Sequence, residues 1–193
     1  MFLEYTKNLI YLCKNCFYVD VIGEILNQEW MFLEENVDFI IGYLNYEAKE
    51  FADEEIVLLV EKNPATTAVS EIVKNEVAFS VIEYNHFLLK NNIKRKKQIL
   101  LSLAAEFETL RSDMKNSNKQ LCSDIGYLLN KMNIRHNNID GENAIEHVKN
   151  MNADELEEWY DEIYQMLLLA ILEHENIERS KRVKRLKENI DGR

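Results

Sequence analysis

Glycine and proline are scarce in this chain, with five Gly and one Pro among 193 residues, where average usage would supply roughly 23. The shortage excludes a collagen repeat, a turn-rich β-sandwich and a glycine-rich nucleotide loop. Cysteine is scarce too, and its odd count of three fits a reducing compartment better than a disulfide framework. Long hydrophobic runs are missing. The longest purely apolar stretch, Met166 to Leu172, has seven residues, against the ~20 that a membrane-spanning helix needs. Glu4, Lys7 and Lys14 interrupt the apolar N-terminus and no small-residue cleavage site follows, so a signal peptide is not expected. These absences together predict a cytoplasmic protein without membrane association.

What is present is apolar surface and acid. Hydrophobic residues make up 47% of the chain, including nine Tyr, eight Phe and two Trp, too much for a disordered protein and enough to bury a sizeable core. The net charge of -11 opposes generic coating of nucleic acid or an anionic membrane. Its distribution is uneven. Residues 1–89 carry 5 basic and 16 acidic side chains, whereas residues 90–135 carry ten basic and four acidic ones. A basic middle beside an acidic N-terminal part admits a local phosphate or RNA contact, and it equally admits packing of the two regions on each other.

Periodicity predicts an all-α protein, a helical bundle of six to eight helices with no sheet. An acidic helical subdomain is expected over residues 1–62 and the main bundle over 63–193, or one continuous domain throughout. The pattern is helical from Glu4 to about Lys49, with breaks near Gly23 and at Glu35 to Asn36. Asp53 reads as the N-cap of a short helix through Ile56, Leu59 and Val60. Pro64 suits a first helical turn and opens a helix expected from about 65 to 91. Ile99, Leu103, Phe107, Leu110 and Met114 form a core stripe behind the cluster Lys94, Arg95, Lys96 and Lys97. Leu121, Ile125, Leu128 and Met132 form another, and a short helix is expected over Ala144 to Val148. Asn152 with Glu155 reads as a capping box for a last helix that runs past 185 into a basic tail. Its apolar run from Met166 to Leu172 is expected to be covered all round.

Four patterns could carry chemistry. Cys13 and Cys16 are spaced like a zinc or redox pair, but no second pair completes four ligands, and they read as packing residues in the stripe Ile10, Cys13, Phe17. Glu83 and His86 have the spacing of a di-iron ligand pair without a second copy. Glu47/Glu50 and Glu158/Asp161 are carboxylates one helical turn apart, which Mg²⁺ would need brought together. No cofactor or metal is expected from these. The fourth pattern is the segment Leu128 to Asn138, where Arg135 and His136 continue the stripe of Met132 to the end of their helix. A fixed cation and an imidazole there can hold a phosphate and move a proton. Alternatively they cap the helix, with Asn137 or Asn138 taking a left-handed turn.

Arg135-His136 resembles the start of the motif of the HEPN families, helical ribonucleases and nucleotidyltransferase partners of toxin-antitoxin and phage-defence systems. In that motif Arg, often followed by Asn, Asp or His, precedes a catalytic His by four to six residues. Asp140 and Gly141 stand where the second His belongs, and His147 lies further on. The resemblance spans roughly residues 90 to 180. It implies metal-independent RNA cleavage or RNA binding by a homodimer, with Arg135 on the phosphate, His136 as acid or base, and Asn137, Asn138 and Lys94, Arg95, Lys96 and Lys97 contacting substrate. The alternative from a different class is a non-catalytic helical module that binds a basic protein through its acidic surface.

Overall fold

A computed structural model describes residues 1–16 and 22–192. The fold is mostly helical, 70%, with eight α-helices among the described residues, and it also contains a two-stranded antiparallel hairpin. Contacts divide it into two compact units, one of Met1–Asn63 with Asn85–Leu88, the other of Pro64–Tyr84 with Leu89–Arg193.

In the first unit, α1 (Phe2–Cys16) and α2 (Ile22–Tyr43) pack on a hairpin of β1 (Tyr46–Phe51) and β2 (Ile56–Glu61). The helix runs unbroken through Glu35 and Asn36, and the expectations of helix to Lys49 and of a helix capped by Asp53 are both corrected by the hairpin. Its cause is local. Ile56, Val57, Leu58, Leu59 and Val60 are a continuous apolar run rich in β-branched side chains, which suits a buried strand. Asn45 and Glu55 take left-handed backbone at φ 63° and 52°, which lets the chain turn into β1 and again into β2, with Asp53 in the loop. Tyr46 pairs with Glu61 and Phe51 with Ile56. Ile10, Val37, Ile41 and Leu59 form the small core.

The outer edge of β2 is closed by side chains of α1. Asn8 Nδ2 donates to the Val57 carbonyl at 2.7 Å, and the Val57 N–H donates back to Asn8 Oδ1 at 2.8 Å. Two residues further along, Glu4 Oε2 accepts from the Leu59 N–H at 2.8 Å. Side chains thus do at Val57 and Leu59 what a third strand would do, and Val60 makes an isolated antiparallel bridge with His86.

The second unit contains α3 (Pro64–Ser70), α4 (Asn75–Glu83), α5 (Ile93–Met114), α6 (Lys119–Lys131), α7 (Glu146–Lys149) and α8 (Ala153–Asp191). The single helix expected over 65 to 91 is replaced by α3, α4 and a 3-10 turn at Phe87–Leu89. Thr66, Thr67, Val69, Ile72 and Val73 are β-branched and hold a helix weakly, and Lys74 is extended at ψ 149°. Three helices of this unit start on asparagine side-chain caps. Asn92 accepts from the Arg95 N–H, Asn118 from the Leu121 N–H, and Asn152 with Glu155 completes a capping box.

The core of this unit joins Leu100, Leu103, Phe107 and Met114 of α5, Ile125 and Leu129 of α6, and Tyr160, Ile163, Leu167 and Ile171 of α8. Tyr84 and Tyr164 stack with centroids 3.9 Å apart. The run Met166 to Leu172 is not covered all round, since Leu169 is 54% exposed while Leu168 is 1% exposed. Seven apolar residues exceed what one buried helix face can hold, so one of them faces water. Ile177 still packs on this core, and further along α8 exposes Val183, Leu186 and Ile190. Among the described residues, no helix is long and apolar enough to cross a membrane.

Candidate functional site

The apolar stripe of α6 ends on Met132 and Ile134, both buried, and the helix stops because Asn133 turns left-handed at φ 56°. Arg135 and His136 therefore lie in the loop after the helix rather than on its last turn, and Asn133 makes the turn expected of Asn137 or Asn138. The Arg135 N–H closes the helix end by donating to the Leu129 carbonyl at 3.0 Å. Its guanidinium donates to Glu108 Oε1 at 2.6 Å, an acceptor that Arg111 also approaches at 3.2 Å. Burial pushes the Glu108 carboxyl up, but the hydrogen bonds and charges of Arg135 and Arg111 together hold it below the usual range.

His136 is exposed and lines an open pocket of about 400 Å³ with Asn130, Lys131, Asn138 and Asn143. Asn137 and Asn138, expected at substrate, both make hydrogen bonds within this loop. Asn138 Oδ1 accepts from the Asn133 N–H at 3.0 Å, and the Asn138 N–H donates to Asn133 Oδ1 at 3.3 Å. Asn138 Nδ2 also reaches the Asn143 carbonyl at 3.3 Å. Asn137 Oδ1 accepts from the N–H groups of Ile139 and Asp140, the local turn that asparagine makes readily.

Within the basic cluster only Lys96 is buried, while Arg95 and Lys97 are half-buried. Arg95 holds Glu83 with two bonds, at 2.8 and 2.5 Å. Lys96 is buried, with Nζ 2.7 Å from Glu157 Oε1 and 2.6 Å from Asp161 Oδ1, and it stands 5.0 Å from the centre of the Tyr84 ring. Lys97 donates to Asn133 Oδ1 at 3.3 Å, and burial holds its ammonium below the ordinary lysine range. Lys94 is exposed. Of four side chains read as a phosphate-binding patch, three thus have partners inside their own unit.

Glu83 serves Arg95, and His86 Nε2 bonds Glu4 Oε2 at 2.6 Å while the Leu88 N–H donates to Nδ1 at 3.3 Å. Glu83 and His86 therefore do not form one ligand pair. Glu47 and Glu50 sit on β1, where residues three apart point to opposite faces, so their one-turn pairing is corrected. Asp161 accepts from Tyr84 at 2.8 Å as well as from Lys96. Cys13 is half-buried and Cys122 buried, with burial pushing the Cys122 thiol up. The Cys16 side chain and Phe17 lie outside the described residues. No protein-family model, curated protein or solved structure matches this chain.

A different surface stands out in the first unit. Helix α1 has a core face with Ile10 and a second apolar stripe of Phe2, Tyr5, Leu9 and Leu12, which are 79%, 68%, 43% and 45% exposed. Their spacing is the alternating three and four of a coiled-coil seam. On α2, Val37 and Ile41 are buried, whereas Phe32, Phe39 and Tyr43 are 69%, 73% and 82% exposed. Exposed Glu29 and Glu35 flank those rings. The charge of this part is strongly acidic, and Lys7, one of its few cations, is buried against Glu34 at 3.1 Å and Asp38 at 2.9 Å. Lys14 also pairs with Glu34. The sequence reading missed this surface because it assigned each helix a single apolar face. The signal was there: α1 carries apolar residues at 2, 5, 9 and 12 in addition to those at 3 and 10.

Proposed function

We propose that this chain is a non-catalytic helical interaction module whose α1 and α2 faces bind a basic amphipathic helix of a partner protein. The observation that carries the reading is the exposure of Phe32, Phe39 and Tyr43 beside Glu29 and Glu35. Large aromatic side chains cost free energy in water, and they are the residues that anchor protein interfaces once covered. The acidic surround selects the partner's charge, speeding encounter with a basic segment and disfavouring an acidic one. The seam spacing on α1 favours a helix as the docking element.

The test is a fluorescence-anisotropy titration of the whole chain with a labelled synthetic Leu/Lys helix of about five turns. Saturable binding that weakens with salt and is lost in the double variant Phe32→Ser, Phe39→Ser supports the reading. Binding that survives this variant would be charge attraction alone, and absence of binding would refute it.

The HEPN-like reading, RNA cleavage or RNA binding by a homodimer in a defence or toxin-antitoxin system, is supported by one observation: His136 opens onto a pocket beside Lys131. Against it, the Arg135 guanidinium that would clamp phosphate is held by Glu108. RNA cleavage that persists in a chelator and is lost in His136→Ala would favour this second reading.

A further inference from the structure

Near the C-terminal end of α5, Asp113 faces His174 and Glu178 of α8. Asp113 Oδ2 and His174 Nε2 are 3.6 Å apart. With a Glu178 carboxylate oxygen they form three donor atoms that all lie within 4.8 Å of one another. The helix period accounts for half of this arrangement, because residues four apart stand one above the other on one face. Packing of α5 on α8 supplies the rest.

We propose that Asp113, His174 and Glu178 bind one Zn²⁺ ion, with water in the fourth position. The donor set is one imidazole nitrogen and two carboxylate oxygens, a mixture that zinc accepts and that lacks the all-oxygen character of a Ca²⁺ or Mg²⁺ cage. Donors around tetrahedral zinc stand about 3.4 Å from each other, and the Asp113 to His174 separation is already near that edge. The site is open, since the Asp113 side chain is 53% and the His174 side chain 21% exposed, so an ion can enter without rearranging the core. Its competitor is Lys181, whose Nζ lies 2.6 Å from Glu178 Oε1. That lysine is 50% exposed and can swing into water when the ion arrives. The Ser112 hydroxyl, 3.4 Å from Asp113 Oδ1, touches the other oxygen and leaves Oδ2 available.

Calorimetric titration of the full chain with Zn²⁺ near neutral pH should show one equivalent bound. His174→Ala and Asp113→Asn should each weaken binding at least ~tenfold, because loss of a mere supporting contact to a ligand already costs that much. Both positions are accessible, and circular dichroism will show the helices retained. Lys181→Met should bind tighter, having lost the competing ammonium. Co²⁺ in place of Zn²⁺ should give d–d bands without a thiolate charge-transfer band, which separates this site from Cys13 and Cys122. No stoichiometric binding, unchanged affinity in His174→Ala, or a thiolate band would overturn the proposal.

Discussion

The Arg135 guanidinium lies 2.6 Å from Glu108 Oε1 and is directed at α5, while its chain neighbour His136 opens to solvent. The two residues that would have to act together on one phosphate therefore have separate surroundings. Arg135→Ala should lower stability by no more than about 1 kcal/mol, the size of a partly exposed ion pair, and His136→Ala should leave the melting temperature unchanged. Labelled RNA should stay intact with either variant and with the native chain, in Mg²⁺ or in a chelator. Cleavage that disappears in His136→Ala would restore the catalytic reading.

Lys96 is the clearest structural cation. It is 6% exposed and its loss would leave Glu157, whose side chain is 11% exposed, as a buried charge without its main partner. Lys96→Ala should therefore destabilise the second unit by about 3 kcal/mol, measured by urea denaturation. Lys94→Ala, at an exposed position, should be neutral within about 0.5 kcal/mol.

The same carboxylate predicts an acid limb. Burial pushes Glu157 up, but the hydrogen bonds from Lys96 and the Asn91 N–H and the charge of Lys96 together hold it below the usual range. A carboxyl with a depressed folded pKa stabilises above its unfolded pKa of about 4.3 and loses that contribution as pH falls through the folded value. Thermal melts between pH 7 and 3 should show native stability falling more steeply below pH 4.3 than that of Glu157→Gln. Parallel curves would contradict the assignment.

Adjacent leucines in α8 should behave oppositely. Leu168→Asp puts an unpaired carboxylate in the core, a cost of several kcal/mol and about the size of total domain stability, so the second unit should unfold. Leu169→Asp lies at an exposed position and should retain the native melting temperature.

Much of the second unit was legible in the sequence, because Ile99, Leu103 and Phe107 repeat at helical spacing and Asn152 with Glu155 marks the start of the last helix by a local hydrogen bond. The hairpin was not legible as helix-free sequence. Ile56 to Val60 is a short apolar run that suits a buried strand or a buried helix equally, and what decides is tertiary: Asn8 and Glu4, about fifty residues earlier, satisfy its backbone. The loop from Asn133 to Ile145 was misjudged for a related reason. Which asparagine takes the left-handed turn depends on the reciprocal bonds of Asn133 with Asn138, and these are invisible to periodicity. Charge runs likewise do not say which way their side chains point, as Arg95 and Lys96 demonstrate.

Hydrogen–deuterium exchange of the full chain, free and saturated with the Leu/Lys helix, tests the central claim most directly, because binding slows exchange where the partner covers and orders backbone. The account predicts slowing in α1 and α2 around Tyr5, Leu9, Phe32 and Phe39, with no change at Arg135 to Asn143. Slowing confined to the loop after α6, or no slowing in α1 and α2, would contradict it.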